Sequence, residues 1–278
     1  MSSRRIPRVL SIAGSDSGGG AGIQADLKAF AARGVHGVCA ITAITAQNTI
    51  GVEAVHQVPP EILRAQVAAV ASDIGVDAVK VGMLGSLETT LAVAAALDEL
   101  SPDVPVVVDP VMVSESGARL LAPDAHDALV RELLPRASVL TPNVPEARAL
   151  LGEEPVPGAD EAEAERLARA VLSLGPGAVL LTGGHRDSAT DLLLAGPARE
   201  GRPAVAIGGP RHPDGASHGS GCTHSAALAA SLALGETLEQ AARSARALAG
   251  DAVARGLREL GAGAGPVDAI DLAARRRR

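Results

Sequence analysis

The chain has 278 residues, 47% hydrophobic and 21% charged, with a formal net charge of −7 and one aromatic side chain, Phe30. The lack of Trp and Tyr excludes an aromatic cage, a row of base-stacking platforms for single-stranded nucleic acid and the aromatic girdle of a membrane barrel. The acidic balance argues against a general nucleic-acid partner, which would need a basic stripe.

Strand-like and helical runs alternate along the chain. Arg8–Ala13 reads as a strand, Gly22–Arg33 as a helix, Val38–Ala46 as a strand and Pro60–Ile74 as a helix opened by proline. Ala78–Met83 and Val104–Asp109 read as strands flanking a Ser86–Leu100 helix. Ser138–Thr141 and Ala178–Thr182 are expected strands around helices at Pro145–Leu151 and Asp160–Leu174. Asp191–Leu194 and Pro203–Ile207 predict an antiparallel pair at a sheet edge, and helices follow at Gly221–Leu234 and Leu238–Arg255. The predicted fold class is α/β, a three-layer α/β/α sandwich on a mostly parallel sheet with an antiparallel edge. The pattern continues past Gly152–Gly158, so one domain over residues 1–278 is expected, ordered from about 8 to 265 and ending in the basic tail Arg275–Arg278.

Two cysteines, Cys39 and Cys222, are too few for a disulfide framework and predict a cytoplasmic location. Ser3-Arg4-Arg5 is not followed by the apolar stretch of a targeting signal. The longest uncharged run, Gly34–Val52, carries Thr42, Thr45, Gln47, Asn48 and Thr49, so it reads as a buried strand and not as a membrane span.

Two glycine loops carry the chemistry. The first strand ends in Gly14-Ser15-Asp16-Ser17-Gly18-Gly19-Gly20-Ala21-Gly22, where a ligand can approach the backbone and the following helix start can bind anions. No Lys-Ser/Thr follows, so it is not a Walker loop. Gly20-x-Gly22-x-x-Ala25 is a variant of the dinucleotide fingerprint, but no acidic residue stands near Ala46–Asn48, which disfavours a dinucleotide oxidoreductase. Asp26, one turn into that helix, reads equally as a capping or surface residue and as a ligand contact. The second loop, His218-Gly219-Ser220-Gly221-Cys222-Thr223-His224, opens a small-residue helix. Amides of Gly219, Ser220, Gly221 and Cys222 can converge on one anion, and a helix start favours the Cys222 thiolate. His212, His218, Cys222 and His224 lack the paired spacing of a zinc site. Asp109, Asn143 and Glu146 follow expected strands, at the edge where doubly wound sheets bind ligands. An anion cradle, oxygen ligands for Mg²⁺ and a base are the parts of a phosphoryl-transfer site.

Together these segments resemble the hydroxymethylpyrimidine/phosphomethylpyrimidine kinases of thiamine biosynthesis, in the ribokinase-like superfamily. The resemblance rests on residues 13–28, Thr45-Ala46-Gln47-Asn48-Thr49, Lys80-Val81-Gly82-Met83-Leu84, Val108-Asp109-Pro110-Val111-Met112, Thr141-Pro142-Asn143-Val144-Pro145-Glu146, Gly183-Gly184-His185 and His218–Thr223, in family order. It implies two successive ATP-dependent phosphorylations, first of 4-amino-5-hydroxymethyl-2-methylpyrimidine and then of its monophosphate. It also implies a homodimer. Gln47 would hydrogen-bond the aminopyrimidine edge, with Gly14, Asp26 and Met83 lining the same pocket. Gly219 to Cys222 would form the anion hole, and Cys222 would accept the proton. Asp109 and Glu146 would act on Mg²⁺, while Asn143, Thr182 and Gly184 would lie along ATP. With so few rings in the chain, Met83, Val111 and Met112 are the expected apolar contacts for the heterocycles, and Phe30 is expected in the core.

Two positions depart from the family pattern. Thr182 and Glu115 stand where lysines are usual, which removes positive charge near the phosphates and bears on the second phosphorylation. Arg119, Arg186 and Arg211 are candidates for compensation. Alternatives are a pyridoxal kinase, in which Cys222 could bond the aldehyde, and a non-catalytic pyrimidine-binding protein.

Overall fold

In the structure, a computed structural model, residues 5–114, 117, 120–156, 158–184, 189–196 and 203–276 are described. Glu115, Arg119 and Arg186 lie outside these residues. Nine strands join one sheet in the order β3-β2-β1-β4-β5-β6-β7-β8-β9. They are β1 (Arg8–Asp16), β2 (His36–Gln47), β3 (Val52–Gln57), β4 (Ala78–Val81), β5 (Val106–Val108), β6 (Val139–Leu140), β7 (Ala178–Leu181), β8 (Asp191–Ala195) and β9 (Val205–Ile207). Pairs from β2 through β7 are parallel, while β2–β3, β7–β8 and β8–β9 are antiparallel.

Side chains alternate across the sheet and bury a separate aliphatic core on each face. Leu10, Ile12, Val79, Val81, Val108 and Leu140 face one layer, with α2 (Pro60–Asp73), α3 (Leu87–Asp98), α5 (Val144–Leu150) and α6 (Glu161–Leu172). Val9, Ala78, Val107, Val139 and Leu180 face the other, with α1 (Gly22–Ala32), α7 (Ser220–Ala233) and α8 (Leu238–Ala254). The buried run Ala226–Ala230 lets α7 lie close over β1, β4 and β5. Phe30 is fully buried in that core, as expected.

Three features differ from the expectation. The strand ending near Ala46 is continued by a tight turn into β3, which makes a second antiparallel edge. Asn48 Oδ1 caps that turn by accepting from the Ile50 and Gly51 amides at 2.9 and 3.1 Å. Between β5 and β6 a helical segment runs through α4 (Ala125–Ala128), a π-type turn (Leu129–Leu133) and a 3₁₀ turn ending at Arg136. The folded part also extends past 265. Val267 and Ala269 are buried, the Val267 amide donates to the His218 carbonyl at 3.0 Å, and Arg275 belongs to α9 (Leu272–Arg275).

The parallel ladder continues one residue beyond several strands. Gly82, Asp109 and Thr141 donate their amides to Ile12, Val81 and Val108, and Thr182 donates to Pro142. These residues therefore form one row at the carboxyl edge of the sheet, beside the start of α7.

Candidate active site

Asp109 and Thr182 of that row line a cavity of about 510 Å³, a volume suited to small molecules. Gly14, Gln47, Met83 and Val111 line one end. Thr182, Gly184 and the Pro210–Pro213 segment line the other, with α8 residues Ala249, Gly250 and Val253. Gly219 to Cys222 lie between, with Asp109, Asn143 and Glu146 also in the wall. Two expected contacts are corrected. Asp26 is not in the wall but fully buried beneath the floor. Met112 packs against the larger core cluster instead of lining the cavity.

The two glycine loops press against each other. Gly219 has φ 83° and caps α7, and a Cβ there would stand 1.7 Å from the Gly20 carbonyl oxygen. Gly22 has φ 56°, and a Cβ on it would stand 2.2 Å from the Gly14 carbonyl oxygen. Both positions therefore require glycine. Asp16 ties the contact. Its carboxylate accepts from the Gly18, Gly20 and Ala21 amides at 2.7, 3.0 and 2.8 Å, and lies 3.0 Å from His218 Nε2. Burial pushes Asp16 up, but these bonds, chiefly from His218, hold it below its ordinary value.

Gly219 ends its turn so that α7 begins at Ser220. The Ser220 amide donates to Ser217 and the Thr223 amide to Gly219. The Gly221 and Cys222 amides between them are first-turn donors free for an anion. The Cys222 thiol does not follow the helix-start argument. Burial pushes it up to about 12, with Asp109 and Asp26 adding to the rise and Lys80 opposing it. Desolvation thus opposes the helix-start effect at this half-buried side chain.

Lys80 sits directly below. It is fully buried, and its Nζ donates to both Asp26 oxygens at 3.0 Å and stands 4.0 Å from Asp109 Oδ2. Ser11 Oγ donates to Asp26 Oδ2 at 2.6 Å. Burial opposes the ammonium charge, but Asp26 and the neighbouring acidic groups hold Lys80 protonated, above its ordinary value. Ser225 Oγ, one turn into α7, donates to Asp109 Oδ2 at 2.8 Å. Asp26 therefore supports the site through Lys80. Its place beside a lysine four elements away left no mark in the local sequence.

Asn143 and Glu146 have a structural task as well as a place in the wall. Asn143 Oδ1 accepts from the Glu146 amide at 2.8 Å, and Glu146 Oε2 accepts from the Asn143 amide at 2.9 Å, a capping box that starts α5. Burial, followed by the charge of Asp109, pushes Glu146 up to about 8. Two crowded carboxylates thus face one space. No group of three or more His, Cys, Asp or Glu side chains that could hold a metal ion occurs among the described residues, so a cation here would need oxygens from its ligand.

Sequence reasoning left Lys80, Asp16, Ser225 and His218 without roles. Lys80 carried one usable sign, a lysine in the middle of a β-branched buried strand. The others depend on contacts between distant segments.

Comparison with known proteins agrees with this geometry. The family described as phosphomethylpyrimidine kinase matches residues 16–268. A hydroxymethylpyrimidine/phosphomethylpyrimidine kinase of Rhizobium meliloti is 51% identical over 261 residues, 93% of this chain and 95% of that protein. A Clostridium difficile phosphomethylpyrimidine kinase structure is 39% identical and superposes with TM-score 0.73, covering 87% of this chain and 97% of that one. A Staphylococcus aureus pyridoxal kinase in complex with pyridoxal is 32% identical with TM-score 0.83, covering 96% and 94%. On the strength of a family match over residues 16–268 and of the 51% identical relative, the chain belongs to the phosphomethylpyrimidine kinase family.

Proposed function

We propose that this kinase phosphorylates the hydroxymethyl group of 4-amino-5-hydroxymethyl-2-methylpyrimidine with ATP, then phosphorylates the monophosphate with a second ATP. The product serves thiamine diphosphate formation. The observation that carries the reading is one cavity in which Gln47, the amides opening α7 and the Asp109–Glu146 pair meet.

Gln47 reads the pyrimidine edge, its amide able to donate to a ring nitrogen and accept from the exocyclic amine. Met83 packs flat on Gly14, with its Sδ 3.0 Å from where a Cβ would be, and supplies with Val111 an apolar wall in place of stacking rings. The Gly221 and Cys222 amides hold the transferring phosphoryl oxygens. Cys222 faces the acceptor hydroxyl and takes its proton as the new P–O bond forms and the bond to ADP breaks. Lys80 beneath it favours the thiolate once ligands fill the cavity. Asn143, Thr182 and Gly184 line the nucleotide end.

Asp109 and Glu146 fit Mg²⁺: a pair of crowded carboxylates, one pushed up to about 8, is relieved by a divalent cation. Mg²⁺ would supply neutralisation of phosphate charge. A homodimer is the assembly we infer. Ile44 and Val55, 52% and 44% exposed on the β2–β3 edge, are apolar groups that such pairing would cover. No helix among the described residues is long and apolar enough to cross a membrane, which accords with action in the cytoplasm.

ADP release with the pyrimidine, its monophosphate and pyridoxal as acceptors tests the reading. Turnover of the first two is expected. Turnover of pyridoxal would support the second reading, which the backbone likeness to the S. aureus enzyme favours. No turnover with any acceptor would refute a kinase.

A further inference from the structure

One buried pair lies in the cavity wall at the nucleotide end and has no part in the chemistry described so far. Asp191 opens β8, beside the end of β7, and is 3% exposed. His224 lies on α7 two residues past Cys222 and is 5% exposed. His224 Nε2 is 3.0 Å from Asp191 Oδ2. The other oxygen, Oδ1, accepts from the Gly183 amide at 2.8 Å, in the loop that follows β7. Arg246 of α8 brings its Nε to 4.0 Å from Oδ1 and donates Nη2 to the Ala189 and Pro210 carbonyls at 2.8 and 3.2 Å.

One carboxylate thus collects contacts from three elements that surround the nucleotide end: the Thr182–Gly184 loop, the helix that carries the anion hole, and α8. Burial pushes Asp191 up, but the His224 hydrogen bond and charge, the Gly183 amide and Arg246 hold it below its ordinary value. An ionised carboxylate can only accept, so it keeps the proton of His224 on Nε2. His224 Nδ1 is buried with no hydrogen-bond partner among the described residues. The orientation of the ring therefore depends on Asp191 alone.

We propose that Asp191 and His224 are a positioning pair that sets the nucleotide loop at Thr182–Gly184 against the amides of Gly221 and Cys222, so that ATP is held in line with the acceptor. Neither side chain is a catalytic residue. The pair substitutes geometry for charge at an end of the cavity where Thr182 replaces a cation. This rests on the kinase reading for the identity of the nucleotide, and its effect is read on nucleotide affinity, which does not depend on the acceptor.

The test uses the full chain with calorimetric titration of Mg·ADP and, separately, of the pyrimidine, alongside steady-state kinetics. Asp191→Asn, which leaves one acceptor where His224 and the Gly183 amide need two, should weaken Mg·ADP binding and raise the KM for ATP by about tenfold or more, while pyrimidine affinity changes less than about twofold. His224→Leu should do the same. His224→Gln can still donate toward Asp191 and should retain most nucleotide affinity. Equal losses for both ligands, or no change for either in folded protein, would overturn the proposal. Should Asp191→Asn fail to fold, the two His224 variants decide: unequal nucleotide affinity supports the pair and equal affinity refutes it. A wild-type chain that binds Mg·ADP but phosphorylates neither pyrimidine would sink the kinase reading while the affinities still judge the pair. A wild-type chain that binds no nucleotide would overturn both.

Discussion

The two ends of the cavity are built differently. At the Gln47 end, backbone meets backbone: Gly219 lies on the Gly20 carbonyl, Gly22 on the Gly14 carbonyl, and Asp16 gathers the loop amides. At the Thr182 end the loop after β7 is held from the side by Asp191, with His224 and Arg246 converging on it. The first end tolerates almost no change in side-chain size. The second depends on charge and hydrogen-bond polarity. On the proposed function, substrate recognition would rest on shape and nucleotide placement on electrostatics. The Lys80–Asp26 ion pair lies under the junction of the two.

Perturbing that junction should give the largest effects. Cys222→Ala should lower kcat by about 10²–10⁴ for either acceptor, as loss of a general base does, with melting unchanged. A variant that keeps its kcat would take proton transfer away from Cys222. Lys80→Met should destabilise the fold by about 3–5 kcal/mol in urea unfolding, because it strands Asp26 without its counter-charge. If Lys80→Met left stability intact, the buried ion pair would not be holding the floor.

Glu146 gives a pH-dependent test of the carboxylate pair. Its folded-state value of about 8 lies above the ordinary 4.5, so folding favours the protonated form. The stability this gives is full below the ordinary carboxylate range and is lost as pH rises through about 8. Glu146→Gln keeps the capping box but cannot ionise. Without Mg²⁺, it should therefore gain stability over the wild type as pH rises from 5 to 9, while losing activity. A constant difference across that range would mean Glu146 is not crowded by Asp109. The smallest expected effect is at the Gln47 end. Gln47→Ala should raise the pyrimidine Kd by about tenfold, with nucleotide affinity unchanged. An unaltered pyrimidine affinity would contradict its edge-reading role.

Much of this architecture was legible in the sequence because it is local. Continuous apolar runs marked the parallel strands, and glycine clusters marked both loops. Val52–Gln57 was missed because β3 is an edge strand with four exposed residues between its ends, so it lacks the apolar signature of the others. The segment around Ala125–Arg136 was missed although it is apolar on one face. Pro123 and Pro135 bracket it, and its helix changes type within three turns. In the site, residues that line the cavity through backbone motifs were legible: Gly14, Gln47, Asp109 and the Gly219–Cys222 cradle. Asp26 was misplaced because a helix position one turn from a loop does not reveal which side faces a lysine in a distant strand. The desolvation that opposes a Cys222 thiolate was not legible, because a helix start is visible in sequence and the groups packed around it are not.

The most direct test of the central claim is the product profile with the pyrimidine monophosphate as acceptor, followed by ³¹P NMR in the presence of ATP and Mg²⁺. The account predicts a diphosphate product with equimolar ADP, formed by the same cavity that converts the unphosphorylated pyrimidine. A chain that leaves both the pyrimidine and its monophosphate unchanged would contradict it.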